Sequence, residues 1–311
     1  MIDGFRGWPP PVLDPAGPHA ASVAVLSWAL IAMAVTVFAI VMLALYIALF
    51  GKESTRKRLG ENKAIVALGF IFPVVVLTAL LVWGLTLTSK LSKPADGEPF
   101  RVEISGEMWW WRVAYKDAGG QVWLHDANEL HIPVGRPVEI ELRSADVIHS
   151  FWVPRLSGKL DMIPGRLNRL RLQADRAGVY GGQCAEYCGG PHALMGFTVV
   201  AHDPADFARW EAMRRMPPAR GAAGTELFER AGCAACHRIA GTPANGLAGP
   251  DLTHVATRRT LGAGILPNNR GTMIGWIADS QALKPGNRMP PYKVLSGAEL
   301  QLLADHMGSP K

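Results

Sequence analysis

The sequence predicts a multidomain membrane protein with three parts: a hairpin of two transmembrane helices, an all-β domain and an all-α domain. Two long stretches without a charged residue predict the helices. Short β-branched and aromatic runs separated by glycine turns then predict the β domain. After a stretch rich in proline, glycine and alanine, segments of helical pattern predict the α domain.

The composition of the 311-residue chain also favours a membrane protein, because 49% of its residues are hydrophobic. The length suits more than one domain. The formal net charge is +6, but much of it lies in the short loop between the two apolar stretches. It is therefore a signal of membrane topology, and we expect no nucleic-acid partner.

The first transmembrane helix is predicted over residues 20–50 and the second over residues 64–90. At about 1.5 Å per residue, each is long enough to cross a bilayer, and two buried core helices would need a larger core than this chain can build. The loop at 51–63 is rich in lysine and arginine, so we expect it in the cytoplasm. Residues 1–19 are then an extracytoplasmic N-terminal tail.

The rest of the chain follows the second span and is predicted to lie outside the cytoplasm. Residues 91–203 are expected to form the β domain, and residues 223–311 the α domain. Residues 204–222, a short charged helix and a Pro/Gly/Ala stretch, are expected to link them. Near the end, Ser296 precedes Glu299 by three positions, a capping box that predicts a final helix.

One loop carries an unusual set of metal-ligand side chains. Residues 183–195 read QCAEYCGGPHALM and bring together Cys184, Cys188, His192 and Met195. A mononuclear blue-copper site needs one cysteine, so two cysteines four apart predict two metals that share both sulfurs. Each metal then needs its own nitrogen ligand, and His149 is the candidate for the second one.

Soft donors of this kind suit copper. Two alternatives compete with a copper site. A disulfide between the two cysteines leaves the histidine and the methionine without a role. A zinc site does not select methionine.

The second motif is CAACH at residues 233–237, the C-x-x-C-H pattern of c-type haem attachment. It predicts that Cys233 and Cys236 bind the porphyrin covalently and that His237 is an iron ligand. The alternative, a thioredoxin-like redox pair, needs a βαβ context that the sequence lacks.

A methionine is expected as the other axial ligand of the iron. We favour Met289, which lies in an irregular, proline-flanked segment. Met273 and Met307 fall in predicted helices, where methionine more often packs in a core.

The stretches HSFWVPRLSGKLDMIPGR and QCAEYCGGPHALMGF resemble subunit II of cytochrome c oxidase, over residues 20–203, and the last domain resembles class I cytochromes c. The resemblance implies a caa-type arrangement: a two-helix anchor, a cupredoxin-like domain with a dinuclear copper-A centre, and a fused cytochrome c. It implies that the copper ligands are His149, Cys184, the main-chain carbonyl of Glu186, Cys188, His192 and Met195.

Further roles follow from the same resemblance. The side chain of Glu186 is expected to bind magnesium or manganese at the contact with subunit I. Trp109, the first of three consecutive tryptophans, is expected to be the point where electrons arrive, with core packing as the alternative; Trp111 is expected in the core. The carbonyl of Pro250 in GPDL is expected to accept a hydrogen bond from His237.

The function implied is that of an electron-transfer subunit of a terminal oxidase, in a bacterial plasma membrane, with two spans. Both termini and both redox domains are expected on the periplasmic or outer face. Electrons from a quinol-oxidising complex or a cytochrome c donor would pass through the covalent c-haem and the copper pair to subunit I, where oxygen is reduced to water with proton pumping. Subunit III is a further expected partner, and the oxygen-reducing site is not expected on this chain.

Two other functions remain open at this stage. One is the electron-relay subunit of a copper-A nitric oxide reductase, and the other is a membrane-anchored copper-handling protein. The family's glutamate seven residues before Pro73 is replaced by Val66, and Glu61 can substitute only if the second helix extends that far. We expect solvent or turn positions for the histidines outside the two motifs: His19, His125, His131, His202, His254 and His306.

Overall fold

The computed structural model describes residues 11–91 and 99–308. Parts of three predicted segments lie outside the described residues: 1–10 of the N-terminal tail, 92–98 at the start of the β domain and 309–311 at the end of the α domain. The chain divides into two compact units, the first formed by residues 21–94 and the second by residues 1–20 together with 95–311.

The first unit is the helical hairpin. It contains α1 (Pro18–Phe50), α2 (Glu53–Leu59), α3 (Asn62–Val66), a π-helical turn (Ala67–Ile71) and α4 (Phe72–Leu91). Two continuous stretches, Pro18–Phe50 and Asn62–Leu91, are long and apolar enough to cross a membrane. Glu61 is the N-cap of α3 and precedes the helix, so the condition for it to replace the family's glutamate is not met.

The β domain is a sandwich of two five-stranded sheets. One sheet has the order β3-β2-β1-β5-β8 and the other β4-β10-β9-β6-β7. The ten strands are β1 (Phe100–Glu107), β2 (Trp110–Lys116), β3 (Val122–Ala127), β4 (Glu129–Pro133), β5 (Val138–Ser144), β6 (His149–Trp152), β7 (Leu160–Met162), β8 (Asn168–Leu172), β9 (Gly178–Cys184) and β10 (Gly196–His202).

Each sheet contains one parallel pair, β1 with β5 and β4 with β10. The sheets are therefore mixed, although short strands separated by tight turns favour an antiparallel sandwich. Parallel neighbours need a long connection, and the chain provides it by visiting other strands between the two members of each pair.

The core of the sandwich is aromatic at its centre. Trp111 is fully buried, as expected, and its ring meets those of Phe151 and Phe197 edge-on at centroid distances of 5.7 and 5.8 Å. Such edge-to-face packing is favourable for aromatic rings. The ring of Trp111 also lies 6.2 Å from that of His149, so this cluster packs beside one of the predicted metal ligands.

The N-terminal tail is attached to the β domain. Ala16 donates its N–H to the carbonyl of Arg155 at 2.7 Å and accepts from the N–H of Asp175 at 2.8 Å. Asp14 forms an ion pair with Arg155 at 2.6 Å. At Gly17 the main chain comes so close that an added Cβ would lie 2.0 Å from the carbonyl oxygen of Gln173, so only glycine fits there.

The C-terminal domain is mainly helical. Helix α5 (Pro204–Arg214) comes before it, and its own elements are α6 (Ala222–Arg230), the short strands β11 (Thr260–Leu261) and β12 (Leu266–Pro267), α7 (Arg270–Leu283) and α8 (Gly297–His306). The predicted capping box is present at the start of α8, where Ser296 and Glu299 bond each other's main-chain N–H. Helix α5 lies within the predicted linker and buries Phe207 and Trp210 against the β domain.

Solvent or turn positions were expected for the histidines outside the motifs, and that expectation was wrong for His131 in β4 and for His306 at the end of the last helix, which are both buried. His254 is also buried, but it lies in a turn, as expected. The packing of α5 explains the first one, because the ring of Trp210 stacks on His131 at a centroid distance of 4.6 Å. The sequence around a histidine does not predict such burial, because tertiary packing decides it.

Candidate metal and haem sites

The first candidate site forms where three strand ends meet. His149 begins β6, Cys184 ends β9, and the loop from Ala185 to Met195 returns to β10. The ligand atoms of His149, Cys184 and Cys188 all lie within 4.8 Å of one another. The two sulfurs are 3.8 Å apart, far beyond the roughly 2.05 Å of a disulfide bond.

The other residues of the predicted ligand set surround the same two sulfurs. His192 Nδ1 lies 3.4 Å from Cys188 Sγ, and Met195 Sδ lies 3.8 Å from that sulfur. The main-chain oxygen of Glu186 lies 3.2 Å from Cys184 Sγ, and His149 Nδ1 lies 3.9 Å from it. The fold thus brings all six predicted donors together.

Asp146 fixes the orientation of the His149 ring, which sequence reasoning missed. Its Oδ1 lies 2.9 Å from His149 Nε2, so the carboxylate holds the proton on that nitrogen and leaves Nδ1 free to face the sulfurs. The same carboxylate accepts main-chain N–H groups of Met108 and Val147 at 2.8 Å. Although burial alone raises it, these bonds hold the pKa of Asp146 below its usual range.

The two thiols do not ionise alike. The hydrogen bond to Cys188 lowers the pKa of Cys184 strongly, and His149 adds to that effect. The thiolate that forms there then raises the pKa of Cys188. Two thiolates so close together would repel each other. A cation between the two sulfurs would offset that repulsion, because metals bind the thiolate form.

The donor set fits a pair of soft metal ions. Two sulfurs are flanked by one imidazole Nδ1 each, with a thioether near one sulfur and a carbonyl near the other. Thiolates bind zinc as well as copper, but a thioether donor beside them favours copper. Copper is therefore the metal that these residues suit.

The second candidate site is an apolar cavity of about 310 Å³ in the C-terminal domain. Cys233, Cys236 and His237 line it. The expected hydrogen bond is present, since His237 Nδ1 lies 2.8 Å from the carbonyl oxygen of Pro250. Burial lowers the pKa of His237, which keeps its imidazole neutral, with Nε2 free to bind a metal. An apolar slot with two thiols and such a histidine fits a haem.

All three methionines considered as axial ligands line this cavity. Met273 and Met307 are buried at 4% and 3% exposure. Met289 lies between α7 and α8, and its main chain is held on both sides: its N–H donates to Asn287 Oδ1, and its carbonyl accepts from Ser280 and Gln281 at 2.8 Å. The segment is therefore irregular but well anchored.

Residues of the β domain complete the wall of the haem cavity: Met108, Trp109, Trp110 and Asn128. Trp109 also reaches the other site, because its Nε1 donates to the carbonyl oxygen of Cys188 at 2.9 Å. One indole thus touches both the cavity and the cysteine loop.

Two further groups that sequence reasoning missed lie at the boundary between the two domains. Lys284 is buried at the end of α7, and Asp126 of β3 forms a buried ion pair with Arg258 at 2.6 Å. Neither residue belongs to a motif, and no signal in the sequence separates them from surface charges.

Comparison with known families agrees with this division of the chain. Residues 117–202 match the family described as "Cytochrome C oxidase subunit II, periplasmic domain", and residues 221–311 match the family described as "Cytochrome c". The fold and the two matches define the class: a membrane-anchored redox protein with a cupredoxin-like domain and a cytochrome c domain in one chain.

Similar proteins identify the family. The cytochrome c oxidase subunit 2 of Alkalihalophilus pseudofirmus is 34% identical, over 96% of this chain and 90% of its own length. That of Bacillus subtilis is 29% identical over 83% of this chain and 77% of its own length. A crystal structure of the periplasmic domain of subunit II of cytochrome oxidase (CoxB) of Bradyrhizobium japonicum is 31% identical, with a TM-score of 0.36, and covers 40% of this chain and 96% of its own. The chain belongs to the cytochrome c oxidase subunit II family.

Membership gives the coarse function. The chain is an electron-transfer subunit of an oxidase, part of an oxidoreductase complex in which subunit I is its expected partner. Its first family domain implies copper A and its second implies haem. It is a membrane protein with a periplasmic domain.

Proposed function

We propose that this chain relays single electrons from its cytochrome c domain, through its cupredoxin-like domain, to subunit I of a terminal oxidase that reduces oxygen to water and pumps protons. When bound, the haem and the copper pair supply one-electron redox chemistry. The observation that carries the proposal is Trp109, which lines the haem cavity and donates a hydrogen bond to the carbonyl of Cys188. An electron leaving the cavity would then cross one indole ring and one hydrogen bond to reach the cysteine loop.

The proposed copper ligands are His149, Cys184, the carbonyl of Glu186, Cys188, His192 and Met195. Their convergence supports this assignment. The role of the chain is to hold these donors in one geometry on a rigid base, so that a change of one electron needs little rearrangement. Asp146 contributes by holding the ring of His149.

In the cytochrome domain we propose thioether bonds at Cys233 and Cys236, and His237 and Met289 as axial ligands. The Pro250 carbonyl holds the imidazole in the tautomer that leaves Nε2 free. The apolar wall excludes water, which favours the less charged, reduced form of a haem.

We propose two spans, with both termini outside the cytoplasm. The N-terminal tail supports this topology, because Asp14 and Ala16 bond to the same β domain that follows the second helix. A tail and a domain on one side of a membrane require an even number of crossings between them. The basic loop between the two helices agrees with a cytoplasmic position.

We propose that the cysteine loop faces subunit I. Tyr187 is 75% exposed in this loop, and exposed aromatic rings are typical of interfaces. The Glu186 side chain is 45% exposed, with Lys159 at 3.8 Å, and it is our candidate ligand for a magnesium or manganese ion shared with subunit I. Subunit III and an upstream quinol-oxidising complex or cytochrome c donor complete the proposed partners.

The test is an electron paramagnetic resonance and visible spectrum of the full chain in detergent, loaded with copper and haem. We expect a copper signal delocalised over two nuclei and a low-spin c-haem in the native protein. His149→Ala should abolish the delocalised signal and leave the haem spectrum unchanged, because each metal needs its own nitrogen donor. His125→Ala is the matched control, and a delocalised signal that survives His149→Ala would refute the ligand assignment.

A further inference from the structure

Lys284 has the most unusual environment of the charged side chains that join the two redox domains. It is 2% exposed, and its Nζ donates to three main-chain carbonyls: Trp109 at 2.7 Å, Leu194 at 2.8 Å and Gly262 at 2.9 Å. An ammonium group has three N–H donors. When the amine is protonated, all three are used, and the carbonyl dipoles compensate the buried charge.

The three carbonyls come from both domains. Trp109 and Leu194 belong to the cupredoxin-like domain, and Gly262 belongs to the cytochrome domain, in the turn between β11 and β12. That turn makes a second bond across the boundary, because the N–H of Gly196 donates to the carbonyl of Ala263 at 2.9 Å. Lys284 thus ties together the segments that border the haem cavity and the cysteine loop.

Geometry explains what such an arrangement can do. Only one relative placement of the domains puts three carbonyl oxygens around a single nitrogen. A shift of the cytochrome domain would strand a buried ammonium group beside unpaired carbonyls, which is costly. Buried polar contacts of this kind fix orientation more than they add affinity.

We propose that Lys284 is a positioning residue for the transfer of one electron from the haem to the copper pair, because it holds the cytochrome domain against Trp109 and the cysteine loop. The inference rests on the proposed relay. In the step concerned a bound haem would lose one electron and a bound copper pair would gain it, and no bond would form or break. Undocking of the cytochrome domain lengthens the path and slows that step.

The test compares Lys284→Met and Lys284→Gln with the native full chain, loaded with copper and haem in detergent. Lys293→Met is the matched control, because Lys293 is on the same domain but its side chain is 68% exposed and paired with Asp279. Two quantities are measured: hydrogen exchange at the Gly196 amide, whose acceptor is across the domain boundary, and the rate at which flash-reduced haem reduces the copper pair.

We expect both Lys284 variants to raise Gly196 exchange by about tenfold and to slow the intramolecular electron transfer by a similar factor, with the control unchanged. Exchange within α6 and α8 should stay as in the native protein. Unchanged Gly196 exchange and transfer rate would overturn the proposal. So would exchange that rises equally in α6, α8 and Gly196, since Lys284 would then support folding of the cytochrome domain only.

The two hypotheses fail in different ways. If the native protein itself shows no reduction of the copper pair by the haem, the relay is refuted. The Gly196 exchange still decides whether Lys284 holds the domains together.

Discussion

At the scale of single residues, the protein uses buried and part-buried polar groups of side chain and main chain to fix functional groups. Asp146 orients His149, and the Pro250 carbonyl orients His237. A similar chain lies away from both sites, where His131 bonds Glu129 through Nε2 and His202 through Nδ1, each at 2.7 Å. Buried polar groups of this kind are bonded because leaving them unpaired is costly.

His202 should make the fold sensitive to acid. Burial, together with the charge of His131, lowers the pKa of His202 to about 4, from an ordinary 6.5. The unfolded chain therefore binds the extra proton first, so stability is complete above about pH 6.5 and is lost as the pH falls towards 4. Since the ring is partly exposed, we expect a loss of about 1 to 2 kcal/mol from this group.

The measurement is urea unfolding of His202→Gln and native protein between pH 8 and pH 4.5, followed by tryptophan fluorescence. On acidification the variant should lose about 1 to 2 kcal/mol less of its free energy of unfolding than the native protein. Above pH 7 the difference in free energy of unfolding between the two proteins should stay constant. Parallel curves over the whole range would contradict the prediction. Asp126 does not interfere, because its pKa is lowered from 3.8 and its effect appears only at lower pH.

At the scale of elements, irregular segments between regular ones carry the candidate ligands. The cysteine loop connects β9 to β10, and the Met289 segment connects α7 to α8. Both are anchored by hydrogen bonds from flanking elements, as at Ser280 with the Met289 carbonyl. Loops anchored in this way can turn side chains towards one point, which a regular helix cannot do.

Met289→Leu tests the axial ligand in the cytochrome domain. The substitution keeps the side-chain volume but removes the sulfur, so we expect the low-spin haem spectrum to be lost and the midpoint potential to fall by on the order of 0.1 V. Met273→Leu and Met307→Leu are the controls and should leave both unchanged. The assignment moves to another methionine if one of these variants produces the change instead.

At the scale of the whole molecule, the two redox domains form one unit through buried polar contacts. Besides Lys284, the buried or part-buried contacts across the boundary include Asp126 with Arg258 and Glu129 with the N–H of Arg259, and Arg112 adds an exposed contact with the carbonyl of Leu247. Burial alone raises the pKa of Asp126, but Arg258 and Arg214 outweigh it and hold it below its usual range. The carboxylate is therefore ionised and paired at neutral pH.

Breaking that ion pair from one side should destabilise the docked arrangement. Asp126→Asn leaves Arg258 with a buried, unpaired charge, and we expect it to cost about 3 to 5 kcal/mol in urea unfolding. Arg258→Met should cost a comparable amount, whereas the double variant should cost less than the sum, with a coupling energy of about 1 to 3 kcal/mol. Strictly additive effects would mean that the two groups do not stabilise each other. Glu53→Gln, in an exposed pair with Lys57, is the control and should have little effect.

The sequence by itself determined the parts whose signal is local. The length of the two apolar stretches predicted the two helices, and the C-x-x-C-H pattern predicted haem attachment. Soft donors at close spacing predicted a copper site in the loop that holds Cys184 and Cys188. The capping box at Ser296 was also local, and it formed as expected. Each of these depends on residues a few positions apart, where spacing alone sets the chemistry.

Only the tertiary structure decided the rest. It placed His149 beside sulfurs that follow it by 35 positions or more, paired β1 with β5 in parallel, buried His131 under α5, and surrounded Lys284 with carbonyls from two domains. From the sequence, a lysine or an aspartate is expected at the surface, and only tertiary packing shows that it is buried. Contacts between distant segments leave no periodic trace in the sequence, so the arrangement that joins the haem cavity to the cysteine loop is a property of the fold.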